Sequence, residues 1–180
     1  MNAALDSLSP RAREIAAVAR ELLEEAGADG LSMRRLAARV GIRAPSLYKH
    51  FASKEALEAA LISIGFDEQA ALFGAVLEGS REPLIAMGEV YRQFAKSNPQ
   101  LFRLMYDRGL NRALLSPGSE DAAAAPAISA AGEDQDLARA VWAFAHGMTT
   151  LELNGRFPED ADLEAAWRRG MTALQSAVRR

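Results

Sequence analysis

The stretch GIRAPSLYKHF, residues 41–51, decides how the 180-residue chain is read. It opens on a glycine, which accepts the positive φ of a tight turn without steric cost. Pro45 suits the first turn of a helix, where its missing N–H would have no partner. Leu47 and Phe51 lie four residues apart and so share a helical face that turns toward a core. The rest of this helix is small, hydroxylic, aromatic or basic. It carries two large apolar anchors and, around them, groups that suit phosphates and base edges.

Upstream, Ser32 is placed to cap a helix MRRLAARV whose buried side is Met33, Leu36, Ala37 and Val40, and Gly41 ends it. A first helix runs from Pro10 to the GADG break at 27–30, with Ile15, Val18, Ala19, Leu22 and Leu23 inward. Downstream, Ser53 caps a long helix from Lys54 to about Gly79. Three helices with a glycine turn between the second and third make a helix-turn-helix. In that geometry the third helix enters the DNA major groove by its N-terminal residues, and the second crosses the backbone.

Charge supports the same reading. The chain holds 21 basic and 24 acidic residues, yet its first 54 residues hold nine basic against six acidic. No acid lies between Asp29 and Glu55, a stretch with six cations. A local positive field on an acidic chain points to a polyanion partner for that segment alone. Arg43, Ala44, Pro45, Ser46 and Lys49 sit on the start and outer side of the third helix. Tyr48 and His50 lie within reach of phosphate oxygens. Lys54 adds charge beside helix N-terminal donors that already favour an anion. Arg34 and Arg35 flank the start of the second helix; which of Arg34, Arg43 and Lys49 reads a base stays open at this level. The bland alternatives are a rim-of-core role for Tyr48 and a helix-end cap for His50.

The remaining pattern is helical throughout, with Ala, Leu, Glu and Arg dominant and no sustained period-two alternation. Helices are expected at roughly 81–97, 99–107, 135–154 and 159–178. Residues 108–134, with two prolines and three glycines, read as a mobile connection with room for a short helical piece. Met87, Tyr91, Phe94, Leu101, Phe102, Met105 and Tyr106 form a Met-rich and aromatic belt at helical spacing, either ordinary core or a wall for an apolar ligand. His146, near Trp142, is a packed histidine or a ligand group. In the 135–154 helix, Leu137, Val141, Phe144, Met148 and Leu151 form one face, and Ala140, Ala143 and Gly147 a small-residue groove. The last helix sets Leu163, Trp167, Met171 and Leu174 beside Ala166, Gly170, Ala173 and Ala177. Gly147 costs a helix about 1 kcal/mol against alanine, an expense that close approach of a second subunit's helices would offset.

The sequence has no cysteine, which excludes disulfides and thiolate metal sites. With two histidines in separate regions, no metal and no cofactor are expected. Neither a signal peptide nor an uninterrupted apolar run of bilayer length is visible, so the expectation is a soluble, cytoplasmic protein without a membrane partner. No Ser-His-Asp arrangement, phosphate loop or metal cluster suggests an enzyme.

The run GLSMRRLAARVGIRAPSLYKHFASKEALEAAL resembles the N-terminal domain of TetR-type (tetracycline-repressor-like) transcriptional regulators. It shares a Ser/Thr before the second helix, Leu-Ala within it, Gly plus an aliphatic at the turn, then Leu-Tyr-x-His-Phe and Ser-Lys. VWAFAHGMTTLELNGRF, residues 141–157, resembles the Trp-x-x-x-His-Gly segment in the C-terminal domain of one branch of that family. The resemblance implies an all-α fold, with a helix-turn-helix domain at 1–54 and a helical effector-binding and dimerisation domain at 55–180. It also implies a homodimer, paired through its last two helices, on a palindromic double-stranded operator, released by a small and partly apolar effector. By position, the DNA contacts would be Ser32, Arg34, Arg43, Ala44, Pro45, Ser46, Tyr48, Lys49, His50 and Lys54. The effector would meet Met87, Tyr91, Phe94, Phe102, Met105, Tyr106, Trp142 and His146. The chain departs from the branch before residue 134, where a well-formed helix is usual and Ala, Pro and Gly dominate here. The competing readings are a helical protein–protein adaptor, or a DNA-binding regulator that takes no ligand.

Overall fold

The computed structural model describes residues 2–178, and among these no strand occurs. In chain order the helices are α1 (Ala3–Ser7), α2 (Pro10–Gly30), α3 (Met33–Val40), α4 (Ala44–Leu47), α5 (Lys54–Leu77), α6 (Pro83–Ser97) and α7 (Pro99–Tyr106). A 3-10 turn at Arg112–Leu114 precedes α8 (Ser119–Ala130), α9 (Gln135–Leu153) and α10 (Leu163–Ser176). The chain forms two compact units, one from Met1–Glu68 with Asn98–Glu120, the other from Gln69–Ser97 with Asp121–Arg180.

The first unit is built on α2. Ser9 caps it by accepting from the Ala12 amide at 3.2 Å, and Pro10 occupies its first turn. The helix leaves regular geometry at Gly27, with φ 68° and ψ 174°, which is the break expected at GADG. Its buried stripe is Ala12, Ile15, Ala16, Ala19, Leu22 and Leu23; Val18, expected inward, is only half-buried. Leu31, Leu36, Leu47, Leu57, Leu61, Leu101 and Phe102 are fully buried in the same unit.

Ahead of the helix expected from Pro10, the chain forms the short α1. Asn2 caps it through the Leu5 amide, and the buried Asp67 carboxylate accepts from the Ala4 amide at 2.7 Å. That partner lies 63 residues away, beyond any local pattern.

In the second unit, α6, α9 and α10 pack on one another. Leu84, Met87, Tyr91, Phe94, Val141, Ala145, Trp167 and Met171 are buried there. The buried side of α9 is Ala138, Val141, Ala145 and Thr149, while Leu151 and Trp142 are 42 % and 49 % exposed. Close approach of α10 is set at Gly170, where an added Cβ would fall 2.1 Å from the Phe144 ring. Met171 fills the corresponding space beside Gly88 on α6. The last helix starts four residues later than its pattern suggested, at Leu163, because Asp162 caps it through the Ala165 amide at 2.9 Å.

Residues 108–134 hold a longer helical piece than expected. Twelve of them, from Ser119, form α8, driven by a run of alanines that favours helix strongly enough to tolerate an internal proline, Pro126. The helix loses there the one backbone bond that Pro126 lacks the proton to make. α5 is the one helix among the described residues long and apolar enough to cross a membrane. Its Leu57, Leu61, Ile62, Ile64 and Phe66 are buried against protein, and Asp67 and Glu68 interrupt its middle.

Candidate nucleic-acid interface

The site grows from two caps and a turn. Ser32 is extended and accepts from the Arg35 amide at 3.3 Å, which starts α3. Met33, Leu36 and Ala37 then turn inward, leaving Arg34, Arg35 and Arg39 exposed. Gly41 closes the helix in the left-handed region, φ 74°, ψ 30°, and the Ile42 amide donates back to the Ala37 carbonyl at 3.0 Å. Arg43 is extended, and α4 begins at Ala44 and Pro45.

α4 is shorter than its sequence pattern suggested. Regular helix stops at Leu47, and a tighter turn carries the chain to His50, whose amide donates to the Leu47 carbonyl at 2.8 Å. Phe51 also donates to Leu47, at 3.0 Å, so the two anchors still share a side and are 0 % and 4 % exposed. With both anchors inward, Arg43, Pro45, Tyr48 and Lys49 are exposed, and Ala44, Ser46 and His50 partly so. Tyr48 is 51 % exposed, which rules out a buried role for its ring. Ser53 caps α5 through the Ala56 amide at 3.1 Å, as expected.

The six cations of residues 34–54 fall into two sets. Arg35 donates to the Gly30 carbonyl at 2.6 Å. Arg39 binds both carboxylate oxygens of Glu25, an interaction that holds the Glu25 carboxyl below its ordinary range. Lys54 donates to the Ala28 carbonyl at 2.8 Å and pairs with Glu58 at 3.4 Å. Arg108, beyond α7, binds Asp29 in the same turn and lowers the pKa of that carboxyl by its hydrogen bond. The partners of Arg35, Lys54 and Arg108 therefore steady the α2–α3 turn. Arg34, Arg43 and Lys49 have no ion pair among the described residues, so their charge is available to a partner.

The belt residues separate between the two units. On α7, in the first, Phe102 and Met105 are buried, and Tyr106 packs on Phe102 and edge-on to Phe66 at centroid distances of 5.0 and 6.2 Å. In the second, the Tyr91 hydroxyl and His146 Nδ1 are hydrogen-bonded at 3.1 Å. Phe73 stacks on Tyr91, and Trp142 lies tilted beside His146 at 5.8 Å. Met87 and Phe94 are buried on the same helix as Tyr91. No group of three or more His, Cys, Asp or Glu suited to a metal occurs among the described residues.

A capped α3, a left-handed glycine turn and a short outward helix with unpaired cations define a helix-turn-helix protein. Residues 15–61 match the family model of bacterial regulatory proteins of the tetR family, and residues 84–174 match the tetracyclin repressor-like C-terminal domain. The chain belongs to this family of bacterial regulatory proteins. It is 54 % identical over 41 residues to the class A tetracycline repressor protein from transposon 1721 of Escherichia coli, a match covering 23 % of this chain and 19 % of that repressor. The chain thus matches about a fifth of that relative's length. A solved structure of a protein of unknown function from Rhodococcus sp. RHA1 is 25 % identical, covers 97 % of both chains and superposes with a TM-score of 0.78. A TetR variant from Acinetobacter baumannii AYE in complex with minocycline shares the fold at 24 % identity, with a TM-score of 0.66 over 94 % of this chain and 96 % of that one.

Proposed function

We propose that this regulator is a cytoplasmic repressor that sits as a homodimer on a palindromic operator and leaves it when a small, partly apolar effector binds. Residues 1–54 read the half-site, and residues 55–180 dimerise and take the effector. The supporting observation is the exposed side of α3 and α4, helices that carry no acid of their own, where Arg34, Arg43 and Lys49 are unpaired and Tyr48 stands half out of the protein.

Ala44, Pro45 and Ser46 open α4 and, with Arg43 and Lys49, face the base edges; Tyr48 and His50 reach the phosphates. Ser32 spends a lone pair on its cap and keeps its hydroxyl proton for a phosphate oxygen. Lys54 has three protons, of which the Ala28 carbonyl and Glu58 take two, so it serves phosphate with the third while anchoring the turn. Dimerisation through α9 and α10 is favoured by the exposure of Trp142 and Leu151 beside the small Ala140, Ala143, Ala166 and Ala173. Two heads then present their reading helices one DNA turn, about 34–36 Å, or a multiple apart. The effector meets Tyr91, His146 and Trp142, a polar handle set among rings and the Met87 and Phe94 side chains. An effector that prefers one spacing of the heads weakens DNA binding, and DNA weakens effector binding by the same factor.

Selection of bound fragments from random duplex DNA tests this reading. The expected product is a two-fold symmetric sequence bound with a steep salt dependence. Recovery of no preferred duplex, with the protein folded, would sink it.

A further inference from the structure

α7 begins in an unusual way. Asn98 stands at its N-cap, and asparagine is among the best capping residues, yet its side chain makes no cap bond. Instead its Oδ1 accepts from Arg20 of α2 at 2.9 Å. The capping is done from α2 by Glu24, whose two oxygens divide the work: Oε2 accepts from the Gln100 amide at 3.1 Å and Oε1 from the Leu101 amide at 2.9 Å. Arg20, one helical turn before Glu24, also donates to Glu68 of α5 at 3.3 Å. Both side chains are mostly shielded, at 20 % and 27 % exposure. Gly27 adds a close approach, since a Cβ there would lie 3.3 Å from Gln100 Oε1.

Two features give this cluster a purpose beyond stability. α2 packs on α3 as well as on α7, so whatever fixes α2 also fixes the reading helices. The chain also passes between its two compact units after Glu68, before Asn98 and after Glu120. Two of these three passages occur at residues that Arg20 holds. We propose that Arg20 and Glu24 are positioning residues for DNA recognition, fastening α2 to the first turn of α7 and to α5 at Glu68 and so setting the angle at which α3 and α4 are presented. This rests on the DNA-binding reading above and adds to it residues that touch no DNA.

Glu24→Gln separates position from charge. Glutamine offers one acceptor oxygen where two amides need one each, so the α7 start loses a bond. Simple electrostatics predicts the opposite effect on DNA, because removing an acid from a DNA-binding head strengthens binding to every sequence. The measurement is affinity over a salt series for a duplex selected by the wild-type protein and for a scrambled duplex. Glu24→Gln is expected to lose about tenfold on the selected duplex only, with an unchanged salt slope. Arg20→Lys keeps the charge but ends one bond short of the Nη2 that donates to both Asn98 and Glu68, and is expected to behave alike; it decides the matter alone if Glu24→Gln does not fold by circular dichroism. Binding by both variants equal to or tighter than wild type, or an equal loss on both duplexes, would overturn the proposal. A wild-type protein without sequence preference would instead overturn the DNA-binding reading, and this inference with it.

Discussion

Arg34, Arg35, Arg39, Arg43, Lys49 and Lys54 look equivalent as letters and are not equivalent in space. A cation that neutralises a phosphate contributes about 0.9 to the slope of log affinity against log salt, whereas one clasped by both oxygens of a carboxylate, as Arg39 is by Glu25, contributes little. Arg43→Ala and Lys49→Ala are therefore expected to alter binding, by about 1–3 kcal/mol at a single base position if the side chain reads a base there. Arg39→Ala is expected to leave the slope unchanged, since Glu25 holds its guanidinium. A gel-shift series at several salt concentrations checks both, and equal slopes for all the variants would refute the division. The sequence shows the cluster because like charges without acids stand out in one dimension. It does not show which members are engaged: Glu25 lies 14 residues from Arg39, and Ala28 lies 26 from Lys54. Glu24 and Asn98 were invisible as partners for the same reason.

At the level of elements, the helices whose ends are written locally were legible. Ser32 and Ser53 cap helices, Pro10 opens α2, and Gly27 and Gly41 break or close them, whereas the Asp162 cap that delays α10 was not read. α8 was read as no more than a short helical piece because the three glycines and two prolines of residues 108–134 outweighed its alanines, although α8 itself holds one proline and no glycine. How α6, α9 and α10 are stitched together was not legible either. Arg92 of α6 binds the Glu152 carboxylate of α9 at 2.7 and 2.9 Å, reaches Glu164 of α10 and lies over the Trp167 ring. Lys96 adds a bond to Glu152 at 3.1 Å. The Arg92 hydrogen bond is the chief cause that lowers the Glu152 pKa, against burial. In the unfolded chain this carboxyl titrates near about 4.3, so the unfolded state binds more protons between that value and the lowered folded one. The stabilisation is thus complete above the unfolded pKa and is lost as pH falls through the folded one. Glu152→Gln is expected to cost about 1.5–3 kcal/mol at neutral pH and to flatten the acid-side decline. Urea unfolding at pH 7 and at several acidic values checks it, and parallel wild-type and variant curves would contradict the assignment.

For the molecule as a whole, Gly147 separates a protomer that works alone from one that works in pairs. It lies inside α9, where alanine would be favoured by about 1 kcal/mol. A Cβ added there meets nothing within 4 Å in its own chain, so packing inside the protomer gives no reason for the glycine. Gly170, by contrast, is required by the Phe144 ring of the same chain. The small-residue pattern was legible on both helices, but it does not say which groove is filled from within. In the proposed dimer, a second copy of α9 and α10 seated on Ala140, Ala143 and Gly147 would account for the difference. Wild-type protein is then expected to sediment as a dimer at micromolar concentration, with a thermal midpoint that rises with concentration. Gly147→Leu is expected to shift it toward monomer and to weaken binding to a full palindrome much more than to one half-site, because only the dimer engages both halves. If the wild type is monomeric at that concentration, and Gly147→Ala merely raises the midpoint equally at every concentration, this glycine has no partner and the paired-head mechanism loses its support.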